Sequence, residues 1–245
     1  MALFTDHRRR YGSRRLLTEL QEQGHQVGRH QLRRLMQRAG LEAIQPRSFI
    51  PRTTNSRHNG PFSPNLLVAA AFPTAPGQVL VGAITYVPLA GSQWAYSAAW
   101  MDLVSRKIKG WSLARNMEEE LVHSALQKAV GSNQLEPGSI IHADRGGQYI
   151  GKAFGQTLTD YNFKQSMSRP DDPYDNAFME SCRSRLKAEL FENGVFRSPE
   201  SAHTELFEYI ECYYNRKRRH SSLGNSRPEQ FEQNYYLSVK QNLHP

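Results

Sequence analysis

The feature that most constrains the fold is a series of three strand-like segments between residues 79 and 114. The segments cover residues 79–87, 93–103 and 107–114 and are rich in β-branched and aromatic residues. Only a few residues connect each segment to the next. Connections this short predict antiparallel hairpins, because a parallel pair of strands needs a crossover of roughly a dozen residues or more.

The segments that follow alternate between helix and strand patterns. A helix is predicted over residues 117–130, with Asn116 as its cap and three glutamates at the positive end of its dipole. The remaining elements are a strand over 139–144, a helix near 151–161, a strand near 163–166, and helices over about 174–192 and 199–214. This order predicts the α/β class, with a mixed sheet flanked by helices.

The basic residues are concentrated at the N-terminus. Residues 1–58 contain twelve arginines, no lysine and four acidic residues, whereas the rest of the chain is balanced. This segment therefore carries the whole formal net charge of +8. Arginine at this density favours nucleic-acid phosphates as the partner, and the alternative is a solvated charged surface.

Two short helices joined by a turn are predicted within residues 11–41. Leu16, Leu17 and Leu20 form an apolar stripe on the first helix, and Leu32, Leu35 and Met36 form one on the second. The second helix also carries the arginines that we predict to contact DNA, namely Arg29, Arg33, Arg34 and Arg38. This pattern fits a helix-turn-helix, whose second helix enters the major groove. The alternative is a helical hairpin whose arginines meet solvent.

The chain is divided into four predicted parts. A small all-α helix-turn-helix domain covers 1–45, and a basic linker covers 46–75, with Arg47 and Arg52 placed along DNA. The α/β domain covers 76–198, and a C-terminal helix and basic tail cover 199–245. No apolar run is long enough to predict a membrane span. Two cysteines without metal-like spacing favour a reduced, cytoplasmic protein. The predicted location is cytoplasmic and nucleoid-associated.

A second basic cluster lies at residues 216–220, with Arg216, Arg218 and Arg219 as candidate phosphate contacts.

Two acids elsewhere in the chain suggest catalytic chemistry. Asp144 ends the strand predicted over 139–144, two residues before a pair of glycines, and Glu180 lies within the helix over about 174–192. Carboxylates from two elements of a basic protein favour Mg²⁺ chemistry on phosphodiesters, although a turn-forming Asp and a solvated helix face are the plainer interpretation. Asn176 and Lys187 share the helix face of Glu180 and are candidates for positioning DNA.

Several motifs identify the chain by resemblance. The segments "HADRGGQY", "SMSRPDDPYDNAFMES", "RLKAEL", "YYNRKRRHSSLG" and "RPEQF" closely resemble the catalytic product of a large family of bacterial insertion-sequence transposases. These DDE enzymes are related to retroviral integrases, and the resemblance runs from about residue 11 to 235. It implies a ribonuclease-H-like core, two Mg²⁺ ions, and metal-assisted strand cleavage followed by strand transfer. Asp144 and Glu180 match the second and third acids of the family's triad.

The first acid of the triad is missing. The family motif reads roughly W-x-x-D-I-T-Y-I-P, and here "VLVGAITYVP" places Ala83 at the position of the acid. The resemblance therefore implies that Asp144 and Glu180 remain as metal ligands, that metal binding is weakened, and that catalysis is disabled. The family also has an Asp where Asp102 stands, so we interpret Asp102 as structural or supporting rather than as a substitute.

Two further departures accompany Ala83. The family usually has an apolar residue at Lys109 and an aromatic residue at Arg183. We interpret both as replacements of surface residues that reduce aggregation. An engineered chain is the first hypothesis, and a naturally decayed copy is its rival.

The predicted function is that of a transposase that binds double-stranded DNA of element ends and target, as a homodimer or larger assembly on DNA, with an upstream-frame transposon protein as a possible partner. The alternatives are a non-catalytic DNA-binding regulator derived from a transposase, and a structure-specific nuclease with the same fold.

Overall fold

The computed structural model describes residues 1–45, 62–68, 71–132, 134–169, 177–191 and 194–243. Its helices are α1 (Ala2–Asp6), α2 (Ser13–Glu22), α3 (Arg29–Arg38), α4 (Glu119–Val130), α5 (Lys152–Asp160), α6 (Ala177–Leu190), α7 (Pro199–Phe207) and α8 (Pro228–Leu243). Its strands are β1 (Val79–Leu89), β2 (Gln93–Asp102), β3 (Ile108–Ala114), β4 (Ile140–Ala143) and β5 (Lys164–Met167). None of the described helices combines the length and apolar character that a membrane span requires.

The five strands form one mixed sheet in the order β3-β2-β1-β4-β5. β1 pairs antiparallel with β2, and β2 with β3, as the short connections predict. β4 pairs parallel with β1 and with β5. The mixed sheet predicted from the sequence is therefore confirmed, and β1 lies at its centre.

Hydrophobic cores cover both faces of the sheet because alternate residues of a strand point to opposite sides. One core joins Leu80 of β1 to α4 and α5. The other joins Val81 and Ala83 of β1 to α6, the segment after α7, and the N-terminal helices. Gly82 lies between these two residues, and a side chain there would collide with the ring of Trp100. Glycine is therefore required at this point of the strand.

The N-terminal helices pack against the C-terminal part of the chain. Tyr11, which precedes α2, is fully buried, and its hydroxyl donates to the carbonyl of Lys217 (3.1 Å) and accepts from the backbone N–H of Arg219 (2.7 Å). Leu32 and Met36 of α3 are buried as predicted, whereas Leu35 is half exposed. The apolar stripe of α3 is therefore narrower than the sequence predicts.

Three other features differ from the sequence prediction. Asn116 does not cap α4, because the helix begins at Glu119 and Glu118 is its N-cap residue. The helix predicted over 199–214 changes to a π-helix at Glu208–Tyr214. Helix α1 was not predicted.

Candidate functional site

The centre of the candidate site lies where β1 and β4 run side by side. Val81 is in register with His142, so Ala83 is level with Asp144, the residue that follows β4. Both positions belong to the sheet face that α6 covers, since residues in register on parallel strands point to the same side. Ala83 itself is buried and lies opposite Ala99 of β2. A carboxylate at position 83 would therefore lie beside Asp144.

Asp144 is held by the turn that follows β4. The backbone N–H of Gly146 donates to its Oδ1 at 3.0 Å. A side chain at position 146 would approach that oxygen to 3.1 Å and Oε1 of Gln148 to 2.7 Å, so glycine permits the tight turn. Burial raises the pKa of the Asp144 carboxyl, and the Gly146 hydrogen bond and the positive charge of Arg183 partly offset that rise. The carboxylate therefore lies where water stabilises its charge poorly.

Helix α6, which carries the second acid, packs on this face. Its residues Met179, Cys182 and Leu186 are buried in the same core as Ala83, while Glu180 is exposed. Arg183 and Lys187 follow Glu180 at intervals of three and four residues, which places them on one side of the helix. Burial and the neighbouring charge of Arg183 lower the pKa of Lys187.

Among the described residues, the acids do not form the ligand set of a two-ion site. A two-metal mechanism needs oxygen ligands that clamp two ions about 4 Å apart. Within the described part of the chain, no group of three or more His, Cys, Asp or Glu side chains is arranged to hold a metal ion. Asp144 and Glu180 are the acids that remain, and the position between β2 and β4 is occupied by the methyl group of Ala83.

Asp102 has a different task at the end of β2. It is fully buried, and its carboxylate accepts hydrogen bonds from the backbone N–H groups of Gly77 (2.7 Å), Val104 (3.1 Å) and Ser105 (2.6 Å). These bonds fix the turn between β2 and β3. The interpretation of Asp102 as a structural residue therefore agrees with its contacts, and its acceptor capacity is used by the fold.

The predicted DNA-contacting arginines of α3 share an exposed surface. The side chains of this group are all exposed: Arg29, Arg33, Arg34 and Arg38. Three other predicted DNA contacts lie outside the described residues, namely Arg47, Arg52 and Asn176.

The second basic cluster is mostly directed inward. Arg218 and Arg219 are buried, so the expectation of phosphate-binding or solvated side chains does not hold for them. Arg218 makes a bidentate pair with Glu189, at 2.6 and 2.9 Å, and Arg219 pairs with Glu19 at 2.7 Å and with Glu22. Arg216 is exposed and lies 3.4 Å from Glu229. The fold uses the two inner arginines to neutralise acids from α6 and α2.

The interpretation of Lys109 as a surface residue is wrong. Its side chain is almost fully buried and forms an ion pair with Glu232 of α8 and a hydrogen bond to Gln134.

Arg183 is also not a plain surface residue, because it is partly buried and acts electrostatically on Asp144. The spacing of three residues from Glu180 was the sequence signal for its position.

Comparison with known proteins defines the class. Residues 73–173 and 161–228 match models of the integrase core domain, and residues 1–49 match a helix-turn-helix-like domain. A retroviral intasome structure, from simian T-cell lymphotropic virus in complex with a PP2A regulatory subunit, is similar in fold (TM-score 0.53, 15% identity) over 85% of this chain and 68% of that chain. The mixed sheet thus has the ribonuclease-H-like integrase fold, which is that of a class of polynucleotidyl transferases.

Curated relatives specify the family within that class. The chain is 42% identical to a 31 kDa protein of insertion element IS600 from Shigella sonnei, over 94% of this chain and 84% of that protein. It is 37% identical to the IS904 transposase of Lactococcus lactis (94% and 90%) and 39% identical to the IS3 transposase InsF of Escherichia coli (95% and 80%). The chain belongs to this family of insertion-sequence transposases.

Proposed function

We propose that this chain binds the DNA ends of an insertion element and does not cleave or join them. The observation that carries the proposal is the methyl group of Ala83 at the position level with Asp144, where the family motif has its first acid. Asp144 and Glu180 cannot enclose two metal ions without a third carboxylate between them.

DNA binding is supported by the charge and exposure of α3. Four arginines of this helix are exposed while Leu32 and Met36 are buried, so the helix is packed on one side and cationic elsewhere. A helix-turn-helix uses its second helix in this way, with arginine contacting phosphates and guanine edges of the major groove. The element ends, rather than random duplex, are the proposed specific target, and a dimer or larger assembly would hold both ends.

A DNA-binding regulator is the second candidate, because Ala83 would also be expected in a chain that has kept binding and lost catalysis. Such a protein would prefer host promoter DNA to the terminal repeats. The two candidates therefore share the α3 surface and differ in the sequence that it reads.

Binding to three duplexes tests the proposal: the terminal inverted repeats of the element that encodes the chain, host promoter DNA, and random DNA at the same stated salt concentration. We expect preference for the repeats. Replacing Arg33 by Gln should weaken binding and reduce the salt slope of log K by about 1, as for one lost phosphate contact. Arg14→Gln is the matched control, since Arg14 is exposed on α2 and outside the proposed contact helix.

The catalytic half of the proposal is tested on the same DNA. Purified protein with Mg²⁺ should give no strand-transfer product above the level without protein. Product above that level would overturn the proposed inactivity. Equal binding to repeats and random duplex would overturn the proposed specificity, and preference for promoter DNA would favour the regulator.

A further inference from the structure

Arg183 brings a permanent positive charge to the centre of the candidate site. It follows Cys182, which is buried on the core shared with Ala83, and it lies one turn beyond Glu180. Its charge acts on Asp144 at the end of β4 and on Lys187 in the next turn of α6. Helix α6 therefore places a guanidinium over the same sheet face on which Ala83 and Asp144 are neighbours.

The Arg183 guanidinium is not paired with any other group in the described part of the chain. Among the described residues, Arg183 has no hydrogen-bond or ion-pair partner, whereas Arg145, which follows Asp144, is engaged. Arg145, adjacent to Asp144 in sequence, donates its Nε to the carbonyl of Ser168 at 2.9 Å and stacks on Phe62. Within the described ranges, Arg183 thus keeps five unpaired N–H donors, in the planar arrangement that suits two phosphate oxygens.

The site has changed in charge in two ways that act together. The alanine at position 83 lacks the negative charge that the family motif supplies, and the arginine at position 183 adds a positive one. Lys187 lies four residues beyond Arg183 on the same side of the helix, and like charges at this spacing repel each other. A bound anion relieves that repulsion, whereas a divalent cation increases it.

We infer that Arg183, with Lys187 beside it, forms a phosphate-binding subsite that holds a DNA backbone next to Asp144 without any metal ion. The inference rests on the proposed function, since DNA is the ligand. It also means that Ala83 alone does not account for the loss of a metal site. Arg183 supplies positive charge in place of a divalent metal ion, because its guanidinium stays charged at every accessible pH.

The first test is the salt dependence of DNA binding, measured with random duplex in EDTA and again in Mg²⁺. The full chain should bind with the same affinity in both. Arg183→Gln should reduce the salt slope of log K by about 1, and Arg183→Lys should retain it. The matched control is Arg185→Gln, because Arg185 is exposed on α6 and acts on Arg15 rather than on Asp144. Thermal unfolding checks that each variant is folded.

Unchanged slope in Arg183→Gln, or an equal reduction in Arg185→Gln, would overturn the inference. Tighter binding in Mg²⁺ than in EDTA would overturn it as well. These results are independent of end recognition, because random duplex is the probe. Failure of the proposed function would appear instead as equal affinity for terminal repeats and random DNA in the unsubstituted chain.

The second test measures Mg²⁺ binding by calorimetry, without DNA. Ala83→Asp alone should bind Mg²⁺ at least about tenfold more weakly than the double variant Ala83→Asp/Arg183→Phe, since removing a cation near the ligands favours a second cation. Equal Mg²⁺ affinity in the single and double variants would show that Arg183 does not oppose metal binding and would overturn the inference.

Discussion

Two regions of the molecule hold inward-facing acids in contrasting surroundings. At the junction of α2, α6 and the segment after the π-helix, each buried acid meets an arginine. At the site formed by β1, β4 and α6, Asp144 is largely removed from water but has no direct ion pair among the described residues. The junction therefore pairs its buried charges within the fold, whereas the proposed site leaves its carboxylate without an ion pair among the described residues.

The pKa directions express the same contrast. Burial raises the pKa of Glu189, but the hydrogen bonds and charge of Arg218 lower it by more than burial raises it. The pKa therefore lies below its usual value. Burial also raises the pKa of Asp144, and there the offsetting contributions are too weak to reverse the rise. Burial raises the pKa in both places but the outcomes are opposite, because one carboxylate has a bidentate partner and the other has none among the described residues.

The largest expected effect comes from breaking the junction. Arg218→Met leaves Glu189 buried and without its main partner, so the free energy of unfolding should fall by about 3–5 kcal/mol in urea denaturation. Arg216→Met is the control, because Arg216 is exposed and its pair with Glu229 should contribute less than about 1 kcal/mol. Equal losses in the two variants would remove the distinction between buried and surface pairs.

A smaller loss is expected where α8 meets β3. Lys109→Met removes the nearest partner of Glu232, which keeps Lys107 at 3.1 Å and Ser105 at 3.3 Å. The loss in urea denaturation should be about 1.5–3 kcal/mol, as for a hydrogen bond to a charged group. The double variant Lys109→Met/Glu232→Leu should recover most of it. A Lys109→Met protein as stable as the parent would contradict the role of this pair.

Acid titration tests the contribution of Glu189 to stability at the buried junction. Because the pKa of folded Glu189 is lowered, its stabilising contribution is complete above its ordinary pKa of about 4.3 and is lost as pH falls through the folded value. Glu189→Gln should therefore show a shallower loss of stability with acid than the parent, in unfolding curves measured at a series of pH values. Parallel curves would mean that Glu189 is not the group responsible.

The smallest effect is expected at the site itself. Asp144→Asn keeps an acceptor for the N–H of Gly146 and removes a charge that burial disfavours. The free energy of unfolding at neutral pH should be unchanged or should rise by less than about 1 kcal/mol, whereas Glu189→Gln lowers it. If Asp144→Asn destabilises the protein as much as Glu189→Gln, the Asp144–Arg183 interaction is structural rather than open to a ligand.

The strands could be predicted closely because their signals are local. The β-branched and aromatic residues of the strands and the short connections between β1, β2 and β3 predicted bounds within about two residues of those observed. Asp144 could be placed after β4 for the same reason. The predicted cap of α4, Asn116, was wrong, and the change to a π-helix after Phe207 was not predicted, since both depend on how the helix packs at its end.

The environment of the charged residues could not be predicted in this way. Arg216 and Arg218 are two residues apart in one basic run, yet the first is exposed and the second is buried. Arg218 meets Glu189 across 29 residues, and Arg219 meets Glu19 across 200. Pairs so distant in sequence leave no periodic pattern, so Lys109 and Glu232 were also not recognised as partners.

The sequence by itself determined the mixed sheet, the spacing of Ala83, Asp144 and Glu180, and the family, because these follow from local patterns and from motifs in order along the chain. Only the tertiary structure decided which cations pair with acids inside the fold and which have no such partner among the described residues. The physical reason is that a charge must be paired when it is removed from water, and the partner comes from wherever the fold places an opposite charge. Arg218 found such a partner in Glu189, whereas Arg183 has no ion-pair or hydrogen-bond partner among the residues that the structure describes.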